Sequence, residues 1–466
     1  MATAEQNECE TYRVIILDRG GTKVLLVPDG DRFALPAVAI PRWQRVAENL
    51  TAAIDTEFGE QVVCLFTPDI ASAVSHGNGI HYQVTEHWRG NRKPQMPTQW
   101  VTLSALSQDS FIDQSDYSAI RQSLVECNAE ARAPLAGPFA RLGWFKELRE
   151  WVDAAIEPRG LHINENFRQL NASPSFSLIR LETDGPAIWF KAVGEPNLRE
   201  FPITLALAGL FPKYIPQVFA ARPEWNGWLT PEVEGTNLGE SQEITSWETA
   251  AVALAKLQIE SISKCAPLLN SGAHDLGAAA MSKLVDPFLG VMGQLMEQQS
   301  KLTPRALSRK ELAFLGEHIQ NALCLLKTSD IPDSLGSLDL NPGNIIASKT
   351  ACAFLDWAEA YVGHPFLTFA YLLEHFRRAV AADAKLEQQL IASYTAQWKQ
   401  LLPPAAIADS LTVSPLLAVF AYASGCGLCN QERLRDPENA GYLRGLTRRM
   451  NREANEMLDW RSACLS

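Results

Sequence analysis

Apolar and polar positions alternate in short runs over residues 10–125, with turn residues between them. Tyr12-Arg-Val-Ile-Ile-Leu17 and Lys23-Val-Leu-Leu-Val27 flank Asp18-Arg-Gly-Gly21, a pattern that predicts a β-hairpin. From Arg45 to Phe58 the apolar period lengthens to that of a helix, and Gly59 is a natural C′ stop. Strands are predicted at Gln61–Phe66 and Ile80–Val84, then a helix near Tyr117–Cys127. Small residues with Pro and Gly fill 128–137, which suits a linker. A helix is predicted from Phe139 to Ile156, with Leu142, Phe145, Leu148, Trp151 and Val152 on one face. Strand patterns return from Asn164 to Glu232, broken by one helix at about Leu198–Gly209. From Ser246 onward the pattern is helical, apart from one β-rich break around residues 334–356.

A chain of 466 residues exceeds one ordinary core, so two or three domains are expected. Its hydrophobic fraction of 47% and charged fraction of 20% are globular values. The net charge of −12 argues against binding to a nucleic-acid backbone and leaves the substrate open. The opening Met-Ala-Thr-Ala-Glu-Gln-Asn-Glu has no basic region and no apolar core, so no secretory signal is expected. Pro415–Ala423, among the longest apolar runs, is too short to span a bilayer and reads as buried helix, so no membrane partner is expected. Scattered cysteines without a signal suit free thiols in a reducing cytoplasm. Cys426-Gly-Leu-Cys429 has no second ligand pair at zinc spacing and reads as two half-buried cysteines.

Phe33-Ala-Leu-Pro-Ala-Val38, followed by a helix ending Asp55-Thr-Glu-Phe-Gly59, resembles the Nudix box, G-x5-E-x7-R-E-U-x-E-E-x-G-U. The frame fits and the chemistry does not. Val38 stands for the glycine, Gln44 for the upstream Glu, Ala52-Ala53 for Arg-Glu and Thr56 for the first Glu of the pair. Only Glu57 remains, and one carboxylate cannot hold divalent metals against a diphosphate. The resemblance implies a Nudix-like α/β domain used as a binding, docking or structural module.

The break contains Ser334-Leu-Gly-Ser-Leu-Asp-Leu-Asn-Pro-Gly-Asn-Ile-Ile-Ala-Ser348, then Phe354-Leu-Asp-Trp357. Phosphoryl transfer needs a carboxylate for the acceptor hydroxyl, oxygen ligands for Mg²⁺ and a lysine for the nucleotide phosphates. Asp339 is the candidate base. Asn344, five residues on, and Asp356, capping the second of two short strands, are the candidate metal ligands. This D-x4-N…D arrangement resembles the H-G-D-x4-N…I-D-W pattern of aminoglycoside and choline kinase-like phosphotransferases. Gly363-His-Pro-Phe-Leu-Thr-Phe-Ala370 resembles the G-D-P-x-x-D-L-A segment that follows it there.

Upstream, Ala187-Ile-Trp-Phe-Lys191 is an apolar strand ending in a lysine, and Glu200 opens a helix where it can pair with that lysine. Pro202 suits that helix's first turn. In the resemblance, Asn171-Ala-Ser-Pro-Ser-Phe-Ser177 takes the place of the nucleotide-covering hairpin, with Ser173 and Ser175 toward phosphate. Gly227–Gly235 takes that of the hinge, with Glu232 and Val233 toward the adenine. The family's histidine and glycine before the catalytic Asp are Ser337 and Leu338, and its later acidic residues are His364 and Thr368. These changes touch the support of the loop and leave Lys191, Asp339, Asn344 and Asp356 in place.

The expected fold class is α+β: a protein-kinase-like bilobal fold, with a β-rich N-lobe at 139–233 and a helical C-lobe at 234–466. It follows a Nudix-like domain at 10–127 and a linker at 128–138. The expected function is ATP- and Mg²⁺-dependent phosphorylation of a small-molecule hydroxyl in the cytoplasm. The alternatives are a nucleotide-binding pseudokinase and, further off, a Nudix-type hydrolase. Glu359 and Glu374 are candidate acceptor-facing carboxylates, although solvated helix charges explain them as well. The acceptor and the oligomeric state follow from no readable spacing.

Overall fold

The computed structural model describes residues 9–68, 80–90, 92–127, 138–349, 351–380 and 383–465. All but Pro138 of the expected linker lies outside these. The chain is mixed α/β and divides into two compact units, Met1–Phe201 with Gln217–Glu232, and Pro202–Pro216 with Val233–Ser466.

The first unit holds two sheets. The larger runs Arg32–Ala34, Lys23–Asp29, Cys9–Leu17, Ile80–Gly90, Glu60–Phe66, with Ala37–Pro41 also pairing Cys9–Leu17 and Gln99–Thr102 pairing Lys23–Asp29. Its first hairpin closes because the Asp18 carboxylate accepts the Thr22 and Lys23 N–H groups at 2.6 and 2.5 Å. Helix Val46–Phe58 buries Ala47, Leu50, Ile54 and Phe58, spaced to share one face. It stops at Gly59, whose φ of 70° is left-handed and where a Cβ would meet the Arg92 carbonyl oxygen at 2.2 Å.

The smaller sheet is antiparallel, in the order Ala220–Arg222, Gly227–Pro231, Ile188–Ala192, Ser177–Thr183, Ile163–Ala172. The helix expected from Phe139 begins only at Trp144, because Gly143 sits at φ 83° and breaks the helical path before it. The Gly143 N–H donates to Glu86 Oε2 at 2.6 Å, so a buried carboxylate of the larger sheet caps this helix. Gln169, on the outer strand of the smaller sheet, binds both backbone groups of Cys64 on the outer strand of the larger one. Its Oε1 accepts the Cys64 N–H at 2.7 Å and its Nε2 donates to the Cys64 carbonyl at 3.0 Å. One buried amide thus satisfies an edge that would otherwise lack partners. A single apolar cluster then runs through both sheets, from Ile15, Leu17 and Val63 to Trp144, Leu148, Ile188 and Phe190.

The second unit is largely helical. Helix Ile244–Ser261 packs on Ala384–Trp398, Ala278–Glu297 on Arg309–Thr328, and Pro404–Gly425 on both Phe366–Ala379 and Pro437–Leu465. Two three-stranded sheets interrupt it: Thr236–Asn237 with Ile345–Ala347 and Cys352–Phe354, and His274–Leu276 with Ala360–Gly363 and Ser334–Ser337.

One expectation changes here. The apolar run at Pro415–Ala423 belongs to a helix of 22 residues, Pro404–Gly425, long and apolar enough to cross a membrane by length and composition. Small residues such as Ala405, Ala406 and Ala408 extend it beyond the apolar run. Just over half of its most apolar window, 56%, is buried inside the protein, in line with the buried helix expected. Cys426 caps this helix and Cys429 lies beyond it; both are half-buried free thiols.

Candidate active site

Asp339 follows strand Ser334–Ser337, whose four residues are all buried and which pairs antiparallel with Ala360–Gly363. Ser337 Oγ accepts the Asp339 N–H at 3.2 Å, so the serine braces the residue it precedes by two. Ser337 is itself held by Thr368, whose Oγ1 accepts the Ser337 N–H at 3.1 Å and donates to its carbonyl at 3.2 Å. The Tyr361 hydroxyl lies 2.8 Å from the same Thr368 oxygen. A buried neutral network therefore supports the loop.

Two donors fix the Asp339 carboxylate. Asn341 Nδ2 and the Tyr371 hydroxyl both donate to Oδ1, at 3.3 and 3.1 Å. Oδ2 has no hydrogen-bond partner among the described residues. Burial, followed by the Asp339 charge, pushes the Tyr371 pKa up, so this phenol stays a donor. Asn341 Oδ1 accepts the Gly343 N–H at 2.9 Å, and Asn237 Nδ2 donates to the Gly343 carbonyl at 2.8 Å, which shapes the short turn Pro342–Asn344.

Asn344 lies next to Asp339 and to the strand that leads to Asp356. Its Nδ2 donates to the Asp339 carbonyl at 3.2 Å. The Leu355 N–H donates to the Asn344 carbonyl at 2.8 Å, one residue before Asp356. Asp356 is exposed and left-handed, with φ 59°, a conformation that aspartate tolerates better than most residues. Behind it the Trp357 Nε1–H donates to the Phe354 carbonyl at 3.2 Å and pins the turn.

Lys191, Glu200, Ser173, Ser175 and Glu232 lie in the first unit. Lys191 is the last residue but one of its strand, paired with Leu178 and Trp228, and donates to Glu200 Oε1 at 2.5 Å. Glu200, the first residue of helix Glu200–Leu210, has a side chain only 2% exposed, so this is a desolvated pair. Ser173 Oγ accepts the Ser175 and Phe176 N–H groups at 3.3 and 3.0 Å and so builds the tip of the hairpin. Ser175 lies against Gly194, where any Cβ would fall 2.3 Å from the Ser175 Cβ. Glu232 turns back to its own sheet: Oε2 accepts from Arg180 at 2.7 Å and Trp189 at 3.0 Å, and its N–H donates to the Ala187 carbonyl at 2.8 Å. Val233 begins the longer segment of the second unit.

Asn341 and Tyr371 were not among the sequence-read site residues, and Thr368 was read only as the replacement of an acidic loop support. Thr368 and Tyr371 sit three apart on helix Phe366–Ala379, spacing that puts both on one face, toward residues 337–339. Neither Glu359 nor Glu374 is an open carboxylate: His274 Nε2 lies 3.7 Å from Glu359, and Glu374 bonds Arg378 and Arg449.

His364 is wholly buried. Its Nδ1 accepts the Phe366 N–H at 3.3 Å, and its Nε2 lies 3.4 Å from the Ser410 hydroxyl of helix Pro404–Gly425. Burial pushes its pKa down to about 3 from an ordinary 6.5. Between those values the unfolded chain binds a proton that the folded chain does not, so stability falls as pH drops below about 6.5. At about pH 5 the loss is about 2 kcal/mol. Urea unfolding of His364→Gln should show an acid decline smaller by that amount, and equal declines would remove His364 as its source.

The chain matches no protein-family model, and no curated protein sequence matches it. Over about 65% of its length its neighbours among solved structures are aminoglycoside and macrolide phosphotransferases and choline and ethanolamine kinases. A choline kinase from Cryptosporidium parvum Iowa II is 12% identical with a TM-score of 0.49, covering 68% of this chain and 97% of that one. A macrolide 2'-phosphotransferase from Brachybacterium faecium is 12% identical with a TM-score of 0.43, covering 65% and 98%. APH(2")-IIia, solved as a GDP and kanamycin complex, is 16% identical with a TM-score of 0.42, covering 65% and 98%. Likeness at this level assigns no activity to the chain.

Proposed function

We propose that this chain is an ATP- and Mg²⁺-dependent phosphotransferase acting on a small-molecule hydroxyl. The observation that supports it is the Asp339 carboxylate, with Oδ1 held by two donors and Oδ2 left for an acceptor. In this reading the acceptor hydroxyl hydrogen-bonds to Oδ2. As its oxygen bonds to the γ-phosphorus, the bond from phosphorus to the β–γ bridging oxygen breaks, ADP leaves, and the hydroxyl proton passes to Asp339. The carboxylate later releases that proton to water.

Asn344 Oδ1 and the Asp356 carboxylate are hard oxygen donors, a fitting protein set for Mg²⁺, which takes its remaining ligands from phosphates and water. When bound, the ion would neutralise phosphate charge. Lys191, oriented by Glu200, would hold the nucleotide phosphates, and the hairpin tip at Ser173 and Ser175 would cover them. With the Glu232 N–H already used, the Glu232 carbonyl and the Val233 N–H, which have no backbone partner among the described residues, would meet an adenine edge. For residues 10–127 we propose a scaffold without hydrolytic activity, since Glu57 alone remains of the carboxylates that metal-assisted diphosphate hydrolysis needs.

The experiment is ATP consumption with Mg²⁺ across a panel of hydroxyl compounds, alongside calorimetric nucleotide binding. Lys191→Ala should weaken nucleotide binding about 10- to 100-fold, the worth of one charge-assisted contact. A wild-type chain that binds no Mg-nucleotide at millimolar concentration sinks the proposal.

A further inference from the structure

The hairpin tip at Ser173–Phe176 is rigid in itself. Its N–H groups are all bonded within it: Ser173 donates to the Phe176 carbonyl at 2.9 Å, and Ser175 and Phe176 donate to Ser173 Oγ. Pro174 stiffens it, and it contains no glycine. The tip therefore moves as one body, and its place is set by the strands that carry it. Strand Ile163–Ala172, which enters the tip, is the outer strand of the smaller sheet. An outer strand with a bare edge opens easily.

That edge is covered by the residue 10–127 region at the place where the strand bends. Gln169 faces Ile179 across the hairpin and Asn171 faces Leu178, so Leu170 is an extra residue of the kind that bends a strand. Both sides of the bend are held. Before it, the Gln169 amide, 1% exposed, binds the Cys64 N–H and carbonyl, and Arg168 Nη2 donates to Glu48 Oε1 on helix Val46–Phe58. After it, Ala172 packs on the apolar cluster that contains Ala47, Leu50 and Ile54 of the same helix. The tip itself meets Gly194, two residues past the Lys191 strand, with no room for a Cβ between Gly194 and Ser175.

We infer that the residue 10–127 region is the mount of the nucleotide-covering hairpin, with Gln169 and Arg168 as positioning residues that keep the tip against Gly194 before any nucleotide arrives. The inference rests on the proposed nucleotide site at Lys191. A covering loop that the ligand must first order weakens binding by the cost of that ordering. A mounted tip removes that cost, so the mount raises nucleotide affinity without touching the nucleotide.

The test is hydrogen exchange over residues 170–178 together with calorimetry of a non-hydrolysable Mg-ATP analogue, both on the full chain. Gln169→Ala should speed exchange at the tip, leave Ile188–Ala192 as protected as in wild type, and weaken analogue binding about 10-fold. Arg168→Glu sets like charges against each other at a largely exposed pair, so it should fold normally and weaken analogue binding about 3-fold. Adding Glu48→Arg to it should restore both readouts. If Gln169→Ala does not fold, the Arg168 and Glu48 variants decide alone. Tip exchange like wild type, faster exchange spread equally over Ile188–Ala192, or unchanged analogue affinity overturns the mount. A wild-type chain that binds no Mg-nucleotide overturns the phosphotransferase reading instead, and tip exchange alone then decides whether the region holds the hairpin.

Discussion

Asp339→Asn should lower phosphoryl transfer about 10²- to 10⁴-fold, the usual contribution of a positioned general base, while nucleotide affinity changes little. The substitution keeps the side chain's shape, and the loop's main supports do not depend on its charge. Ser337 Oγ still accepts the residue 339 N–H, and Asn344 Nδ2 still donates to the residue 339 carbonyl. An amide oxygen in place of Oδ1 can still accept from Asn341 and Tyr371. What disappears is the basicity at Oδ2. Loss in kcat with an unchanged calorimetric nucleotide Kd is therefore the expected signature. Normal turnover by this variant would remove Asp339 from the mechanism.

Local signals were legible in the sequence wherever one residue type dictates one backbone state. Gly59 ends its helix as the pattern predicts, because only glycine is at ease in the left-handed turn that the Arg92 carbonyl crowds. The pairing of Lys191 with Glu200 follows from a strand end and a helix start nine residues apart, and the structure joins them at 2.5 Å. Gly143 carried a similar signal that the apolar face around it obscured, so the helix starts later than its periodicity suggests.

Cross-element polar contacts left no such trace. Gln169 and Cys64 are separated by 105 residues, and no spacing rule connects a glutamine on one sheet edge to a backbone on another. Tyr371 and Asp339 meet only because Thr368, one turn earlier on the same helix, ties that helix to Ser337. The replacement of acidic bracing residues by His364 and Thr368 was visible in the sequence, but its consequence was not. Thr368 makes neutral hydrogen bonds to the loop, and His364 bonds within its own turn and faces Ser410 instead.

The same long-range packing makes the largest stability prediction. Trp144 is 0% exposed, and its ring meets those of Phe139 and Phe145 at 5.0 and 5.9 Å in the cluster that runs through both sheets of the first unit. Trp144→Ala should cost about 3–5 kcal/mol, because the transfer energy of the ring is lost and a cavity is left in a dense core. The indole N–H has no hydrogen-bond partner among the described residues, so Trp144→Phe loses no polar contact there. It should cost clearly less than the alanine change. Denaturant unfolding monitored on the first unit distinguishes the two. If alanine costs under about 1 kcal/mol, the apolar cluster is not what joins the residue 10–127 region to the Lys191 sheet. The burden would then fall on polar contacts such as Glu86 with the Gly143 N–H, Gln169 with Cys64 and Arg168 with Glu48.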